Sequence, residues 1–536
     1  MKKTLIQVCA LMMAHHAVTA QTPFFQSTTY RGAFAPSPTP MWTDTWCEWD
    51  PQNVNYPAPT MTITSNITTN TTWSTGQVIL LSGQIFVKNN AVLTIQPGVI
   101  IRGDKSVTGA GLFITRGSKI IAQGTPNQPI VFTSDQAPGN RNIGDWGGVV
   151  IFGNASTNDA GGQNYIEGLP PSPDTQYGGG SSPNDNDSSG ILKYVRIEFG
   201  GYAYQPNKEI NGLTFGAVGR KTVVDYVQVS FANDDGFEWF GGTVNCKHLV
   251  SYRNLDDDFD TDNGYHGMVQ FALAVRDPNI ADNPSVSTSE GFESDNDPTG
   301  STATPKTSAI FSNITIIGPY RGSTSNPIAS GFRRGARLRR NTELKIFNSI
   351  FMDHPRGIHI DGTACENNAT AGLLKFKYNI VAGNQTGKVT EVNSGSSFNT
   401  PAWFGANNND SLVSTSGILV NPYNYTAPDY RPVGTGIAAS GADFNDPVFS
   451  GLVTSVNAIN NHNVYMTLYP NPAKDFISVT TGNAIKNITI SDITGKLILS
   501  LSDSNVADIS QLNAGVYFIR VETDNHQIFV SKFVKE

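Results

Sequence analysis

The stretch "YVQVSFANDDGFEWFGGTVNCKHLVSYRNLDDDFDTD", residues 226–262, repeats itself. "YVQVSF" (226–231) precedes "DGFEW" (235–239), and "HLVSYRN" (248–254) precedes "DDFDTD" (257–262). Each unit is an apolar strand, a short loop, and a second strand that alternates apolar and polar residues. The units lie 22 residues apart, a period that fits one turn of a parallel β solenoid. Five of the seven residues from Asp256 to Asp262 are carboxylates. Such blocks usually mark a solvated tail. Here Phe259 sits among them and apolar strands flank them, so the charges belong to a folded rung.

The pattern extends in both directions. "YVRIEF" (194–199), "FSNITIIG" (311–318) and "IFNSIFMD" (346–353) continue the first strand type. "NGLTF" (211–215), "EGFESD" (290–295), "RGARLR" (334–339) and "RGIHID" (356–361) continue the second. Upstream, from about residue 76, short apolar strands are stopped by Gly, Asn or Pro, with no helical period between them. Wider gaps require insertions, notably the Pro/Ser/Thr stretch 277–289. The fold class expected is all-β: a parallel β-helix over 76–455, then a small antiparallel β-sandwich over 466–536. A row of sandwiches would need Greek-key partners at 8–12-residue spacing, which the aligned second strand does not supply. A solenoid needs capped ends. The segment 21–75, Trp-rich over 42–60, is expected to cap the first turn. The aperiodic region from about 395 is expected to cover the other end, and 456–465 reads as a linker.

The first twenty residues read as a secretory signal peptide: Lys2 and Lys3, an apolar run from Leu5 to Met13, and small residues at Val18-Thr-Ala20. No stretch reaches about 18 uninterrupted apolar residues, so no membrane-spanning helix is expected. Charged residues make up 15% of the chain, against about 25% in an average soluble protein. Gly (52) and Pro (30) are plentiful, a turn-rich extracellular composition. The net charge of −8 argues against nucleic acid as partner. Cys47, Cys246 and Cys365 follow the leader without metal-site spacing, and their odd number leaves at least one unpaired within the chain.

Two resemblances rest on particular residues. Tyr469-Pro-Asn-Pro472, Asp492-Ile-Thr-Gly-Lys496, Leu512-Asn-Ala-Gly-Val-Tyr517 and the basic end Lys532 to Lys535 resemble the type A C-terminal sorting domain of the type IX secretion system. That resemblance implies export across a Gram-negative outer membrane, with the secretion machinery as a partner. It also implies release or attachment to the outer cell surface. "AVLTIQPGVIIRG", "NDNDSSGILKYVRIEFGG" and "NDDGFEWFGGTVN" are similar to a family of exported right-handed parallel β-helix proteins. This second resemblance supplies fold and address, not chemistry.

Side chains alternate across a strand. Leu213, Phe237, Phe259, Phe292, Ala336 and Ile358 are therefore expected to point inward. Thr214, Glu238, Asp260, Glu293, Arg337 and His359 should point outward, one per turn. A second outward column reads Phe240 (displaced by an irregular turn), Asp262, Asp295, Arg339 and Asp361. Loops before these strands add Asp234, Asp235, Asp256 and Asp257. Neighbouring strands lie about 4.8 Å apart, where two carboxylates repel by about 0.8 kcal/mol in bulk water and several-fold more where water is excluded. A ladder chosen for stability would alternate sign; this one groups three acids before the first arginine.

Three readings follow. The face is simply solvated; or it holds calcium through Asp235, Glu238, Asp257, Asp260, Asp262, Glu293 and Asp295, hard oxygen donors that suit that ion; or it is a groove for ligand or catalysis. Arg337, Arg339 and His359 are the candidate ligand-binding residues for an anionic extracellular polysaccharide. Glu238, Asp260, Glu293, Arg337 and His359 are the catalytic candidates. Trp146 and Trp239 are considered for sugar stacking, and His266 as a base. The function expected is an exported cell-surface or secreted protein that binds an extracellular polysaccharide or acts as an adhesin. The alternative is a polysaccharide lyase or glycoside hydrolase, although the full motif set of pectate lyases and polygalacturonases is not found. A groove between long loops favours the enzyme; a flat ladder favours binding.

Overall fold

Short strands and long bent strands alternate along the chain and stack separately. The computed structural model describes residues 24–449 apart from 206–207, and residues 466–536 apart from 482–483, 493–495 and 525–527. The expected signal peptide and linker lie outside the described residues. Two compact units result, Met1–Val453 and Thr454–Glu536.

In the first unit the short strands build a ten-stranded sheet, from Gln84–Val87 at one edge to Thr390–Glu391 at the other. Every pairing in it is parallel. Leu213, Phe237, Phe259 and Phe292 stand in one register, and Ala336 stands opposite Ile358. All six are fully buried. The rings of Phe237, Phe259 and Phe292 follow one another at 5.9 and 5.2 Å, aromatic contacts worth about 0.5–1.5 kcal/mol each beyond their burial.

The long strands form a second, 17-stranded sheet. Strands Gly190–Glu198, Val223–Ser230, Asn245–Tyr252, Met268–Val275 and Ile310–Ile317 each bend at one residue with positive φ: Tyr194, Tyr226, His248, Phe271 and Asn313. For a bulky side chain this conformation costs on the order of 1–2 kcal/mol. Stacking offsets it. Rings at successive corners lie 4.5, 4.2 and 5.3 Å apart and within 14° of parallel.

The N-terminal segment is a strap along the flank, not a cap on the first turn. Arg31 pairs with Asp410 at 2.5 Å, and Ala33 N donates to Thr315 Oγ1. Farther along, Trp42 packs on the corner rings of Tyr226 and His248, and Trp46 on Tyr194. Tyr56 then donates to the buried Glu198. The apolar corner column explains the placement, because it presents a face that the Trp-rich segment covers. Strands Met61–Ile63 and Thr71–Trp73 already pair in register with the solenoid, which therefore starts before residue 76. At the far end, Phe404 of helix Thr400–Ala406 packs on Phe376. The hairpin Leu419–Asn421 with Asp429–Pro432 follows, and Tyr430 joins the flank core beside Phe34 and Trp49. The three described cysteines are free, and Cys246 and Cys365 are buried.

The second unit holds a three-stranded and a four-stranded antiparallel sheet. Ile477, Ile488, Ile519 and Phe533 lie in its core. The motif residue Tyr517 stacks on Phe533 at 5.7 Å. Among the described residues no helix is long and apolar enough to cross a membrane.

Candidate functional site

The outward column of the ten-stranded sheet runs Thr214, Glu238, Asp260, Glu293, Arg337, His359, each opposite the next, and then Glu391. Phe240 is not displaced. It stands in register between Gly216 and Asp262. The acidic rung at 256–262 now resolves residue by residue. Asp258 is fully buried, takes a hydrogen bond from Ser251 at 2.6 Å and pairs with the equally buried Arg276 at 2.9 Å. Asp257 uses one oxygen to accept the Glu290 amide at 2.6 Å. Asp235 does the same for the Asp257 amide at 2.9 Å, and Asn211 for the Asp235 amide at 3.2 Å. Each loop acid thus tethers the next rung with one oxygen and keeps the other.

Those other oxygens face a cleft of about 560 Å³ that, among the described residues, is lined by twelve carboxylates and two guanidinium groups, Arg339 and Arg340. Loops wall it in. Glu167, Glu209 and the segment carrying Asp282, Val286 and Ser287 contribute from insertions between rungs. The arginines are spent on the basic side. Arg339 pairs with Glu293 and with Asp295 at 2.8 Å, and Arg340 with Asp295 at 2.6 Å. Arg337 reaches Asp361 at 2.8 Å and Glu293 at 3.6 Å.

The acids nearer the middle lack such counter-charge. Asp234, Asp235 and Asp256 bring one oxygen each within 4.8 Å of one another; so do Asp235, Glu238 and Asp260, and Asp257, Asp260 and Glu293. Asp260 Oδ1 and Asp256 Oδ1 are buried and meet no hydrogen-bond donor. Burial first, and then the charges of neighbouring acids, push Asp235, Glu238, Asp257 and Asp260 well above the ordinary carboxylate range. Burial raises Asp256 to about 7 and Glu293 to about 8. A donor set of carboxylate oxygens with unsatisfied lone pairs fits a hard divalent cation such as calcium.

Of the seven acids expected at a metal site, Asp235, Glu238, Asp257, Asp260 and Asp262 line the cleft free of arginine partners in the ladder, while Glu293 and Asp295 are arginine-paired. The three residues expected to bind ligand lie near one another on the ladder, Arg337 opposite His359 and both Arg337 and Arg339 on Glu293, but they are engaged with protein partners. Arg339 lines the cleft, but Arg337 and His359 do not. His359 is 7% exposed and its Nε2 meets Asn393 Oδ1 at 2.8 Å. Trp146 and Trp239 are buried in the core, so neither stacks a sugar. His266 lies outside the cleft, 2.8 Å from Gly264 O and 3.7 Å from Asp185. Sequence reading missed Glu167, Glu209 and Asp282, which lie on insertions where the period is lost.

An exported β solenoid with a long acidic cleft on its ladder face is the class that fold and site define. A family described as pectate-lyase like beta helix domain matches residues 65–416, more than half of the chain, and the protein belongs to that family. The secretion system C-terminal sorting domain matches residues 467–536. The protein is therefore exported by the type IX route, to be secreted or held at the outer surface. No curated protein matches the sequence.

Proposed function

We propose that the cleft binds divalent cations, calcium foremost, and through them an anionic extracellular polysaccharide. The observation that carries this reading is the run of stacked acids Glu238 and Asp260, flanked by Asp235 and Asp257, without an arginine among them. Like charges directly opposite each other are destabilising, and a cation turns that repulsion into coordination. A cation held by protein carboxylates keeps coordination positions for a uronate or sulfate group. The anionic ligand thus meets positive charge in a cleft that would otherwise repel it.

The second reading is catalytic, a polysaccharide lyase or glycoside hydrolase. The observation favouring it is that the ladder lies between long loops rather than on a flat face. Glu238 and Asp260 on adjacent rungs, with oxygens within 4.8 Å, compare with the roughly 5–5.5 Å carboxyl separation of a retaining glycosidase.

The test is calorimetric titration of the mature protein with calcium, then with polygalacturonate in calcium or in chelator. Calcium uptake followed by calcium-dependent polymer binding is expected. Polymer binding unchanged by chelator sinks the cation reading. Product formation from the bound polymer moves the conclusion to the enzyme.

A further inference from the structure

The ladder changes sign along its length, and the change is sharpest in the loop column that carries Asp235 and Asp257. Backbone hydrogen bonds from turn to turn place Asp235, Asp257 and Glu290 one after another in that column, then Arg334, Arg356 and Lys388 on the next three turns. Three acids thus give way to three bases. Arg333 precedes Arg334 in the same loop. With turns about 4.8 Å apart, Arg356 stands about 14 Å along the ladder from Asp257.

The basic end is only partly neutralised. Arg334 pairs with Glu290 at 2.9 Å and with Glu391 at 2.6 Å. Glu391 is shared, because Arg356 also pairs with it. The Arg356 side chain keeps 28% of its surface exposed. Arg333 is half-buried and Lys388 exposed, and among the described residues neither side chain has an ion-pair or hydrogen-bond partner. Two carboxylates therefore serve four cationic groups. Like charges directly opposite each other are destabilising, for stacked bases as for stacked acids, and an anion offsets that repulsion.

We infer that Arg333, Arg356 and Lys388 form a second subsite, one that takes an anionic group of the same polymer directly, a carboxylate or a sulfate ester, without a metal ion between. The inference rests on the cation reading above and adds the direction in which the polymer lies. A guanidinium donates paired N–H bonds to an oxyanion, and an ammonium adds a point charge. The polymer runs along the ladder, across the strands. One anionic group sits on calcium at Asp235, Asp257 and Asp260, and another reaches the bases about 14 Å away. Two contacts on one chain reinforce each other, so a polymer long enough to meet both binds more tightly than its monomer. Arg337, expected from the sequence to fill this role, is instead held by Asp361 and Glu293. The subsite lies in the neighbouring loop column.

The test titrates the full mature chain, in calcium, with polygalacturonate, dextran sulfate and the galacturonate monomer. The tighter of the two polymers identifies the group as carboxylate or sulfate. Replacing Arg333→Gln and Lys388→Gln together should weaken that polymer about tenfold, since each partly exposed charge contact is modest. The same change should flatten the salt dependence of binding, while calcium uptake and monomer binding stay as in the parent. Lys388→Gln alone, at an exposed side chain, keeps the fold and should weaken the polymer about threefold. Arg333→Lys with Lys388→Arg keeps both charges and should bind as the parent does. Gln variants that bind the polymer as tightly as the parent, or a loss that the charge-keeping variant shares, overturn the basic subsite and leave the cation reading standing. A parent protein that takes up calcium yet binds neither polymer overturns both.

Discussion

Asp260 has an acid in register on each side, Glu238 and Glu293. At about 5 Å and an effective dielectric near 20, each such contact between ionised groups costs about 3 kcal/mol. The protein lowers that cost by protonation when no cation is present. A carboxyl whose folded-state pKa is raised binds protons more tightly in the native than in the unfolded state. Its contribution is present at low pH and is lost as pH rises through the folded value. Asp256, raised to about 7, and Glu293, raised to about 8, lose their contribution as pH rises through that range. In chelator, the melting temperature should therefore fall between pH 5 and pH 8, and calcium should reverse the fall at pH 8. Scanning calorimetry that finds the chelated protein more stable at pH 8 than at pH 5 contradicts the buried-acid account. Asp260→Asn separates the two roles. In chelator at pH 8 it should stabilise the protein, by about 1–3 kcal/mol, because it removes the central charge. It should also reduce the calcium increment to a small fraction. Arg339 behaves oppositely. It faces Glu293 and Asp295, which are 8% and 3% exposed. An exposed substitution usually costs within about 0.5 kcal/mol, but removing one partner of a buried pair costs up to about 3–5 kcal/mol. Arg339→Gln should cost about 2 kcal/mol, since Arg337 and Arg340 remain. Denaturant unfolding measures it, and a loss below about 0.5 kcal/mol would mean these pairs are solvated.

At the scale of the element, periodicity carried the reading and its loss ended it. Side chains alternate along a strand, so the aligned second strands placed Phe237, Phe259 and Phe292 inside and Glu238, Asp260 and Glu293 outside, as the register has them. The corner column was legible too, though unread. Tyr194, Tyr226, His248, Phe271, Asn313 and Asn348 precede the second half of each long strand and share positive φ. An aromatic, His or Asn at one fixed offset in six segments was the available signal. The strap and the cleft walls had no such signal, because a segment that crosses many rungs repeats nothing. Its partners, such as Thr315 for Ala33 and Asp410 for Arg31, are hundreds of residues away. The arginine pairing was hidden for another reason: register fixes where a Cβ sits, whereas Arg339 meets Asp295 by its choice of rotamer. The strap's share of stability can be measured. Trp46 is 1% exposed against Tyr194 and Tyr226. Trp46→Ala should cost about 3–5 kcal/mol, the range for truncating a buried aromatic. A loss under about 1 kcal/mol in denaturant unfolding would show that the strap rests on the corners without holding them.

At the scale of the whole molecule, the two units divide chemistry from address. The acidic cleft is built within the first unit, and the sorting motifs belong to the second. Each unit has its own buried core, one running the length of the solenoid and one around Ile477, Ile488, Ile519 and Phe533. The stability of the solenoid is a sum over rungs and their neighbours, so nothing in the second core is needed to complete the first. This independence makes the export signal testable without confounding it with misfolding. A chain ending at Phe449 keeps the last segment of the first unit, where Phe449 packs on Phe25 and Phe347. It lacks every residue matched to the sorting domain. Such a chain should fold, bind calcium as the full protein does, and accumulate in the periplasm. Fractionation with protease shaving of whole cells reads its location, and the melting curve of the periplasmic protein reads its fold. Normal surface or medium levels of the truncated protein would remove the sorting role from the second unit. A truncated protein that stays inside but no longer melts cooperatively would instead show that the solenoid depends on the second unit, against the separation of the two cores.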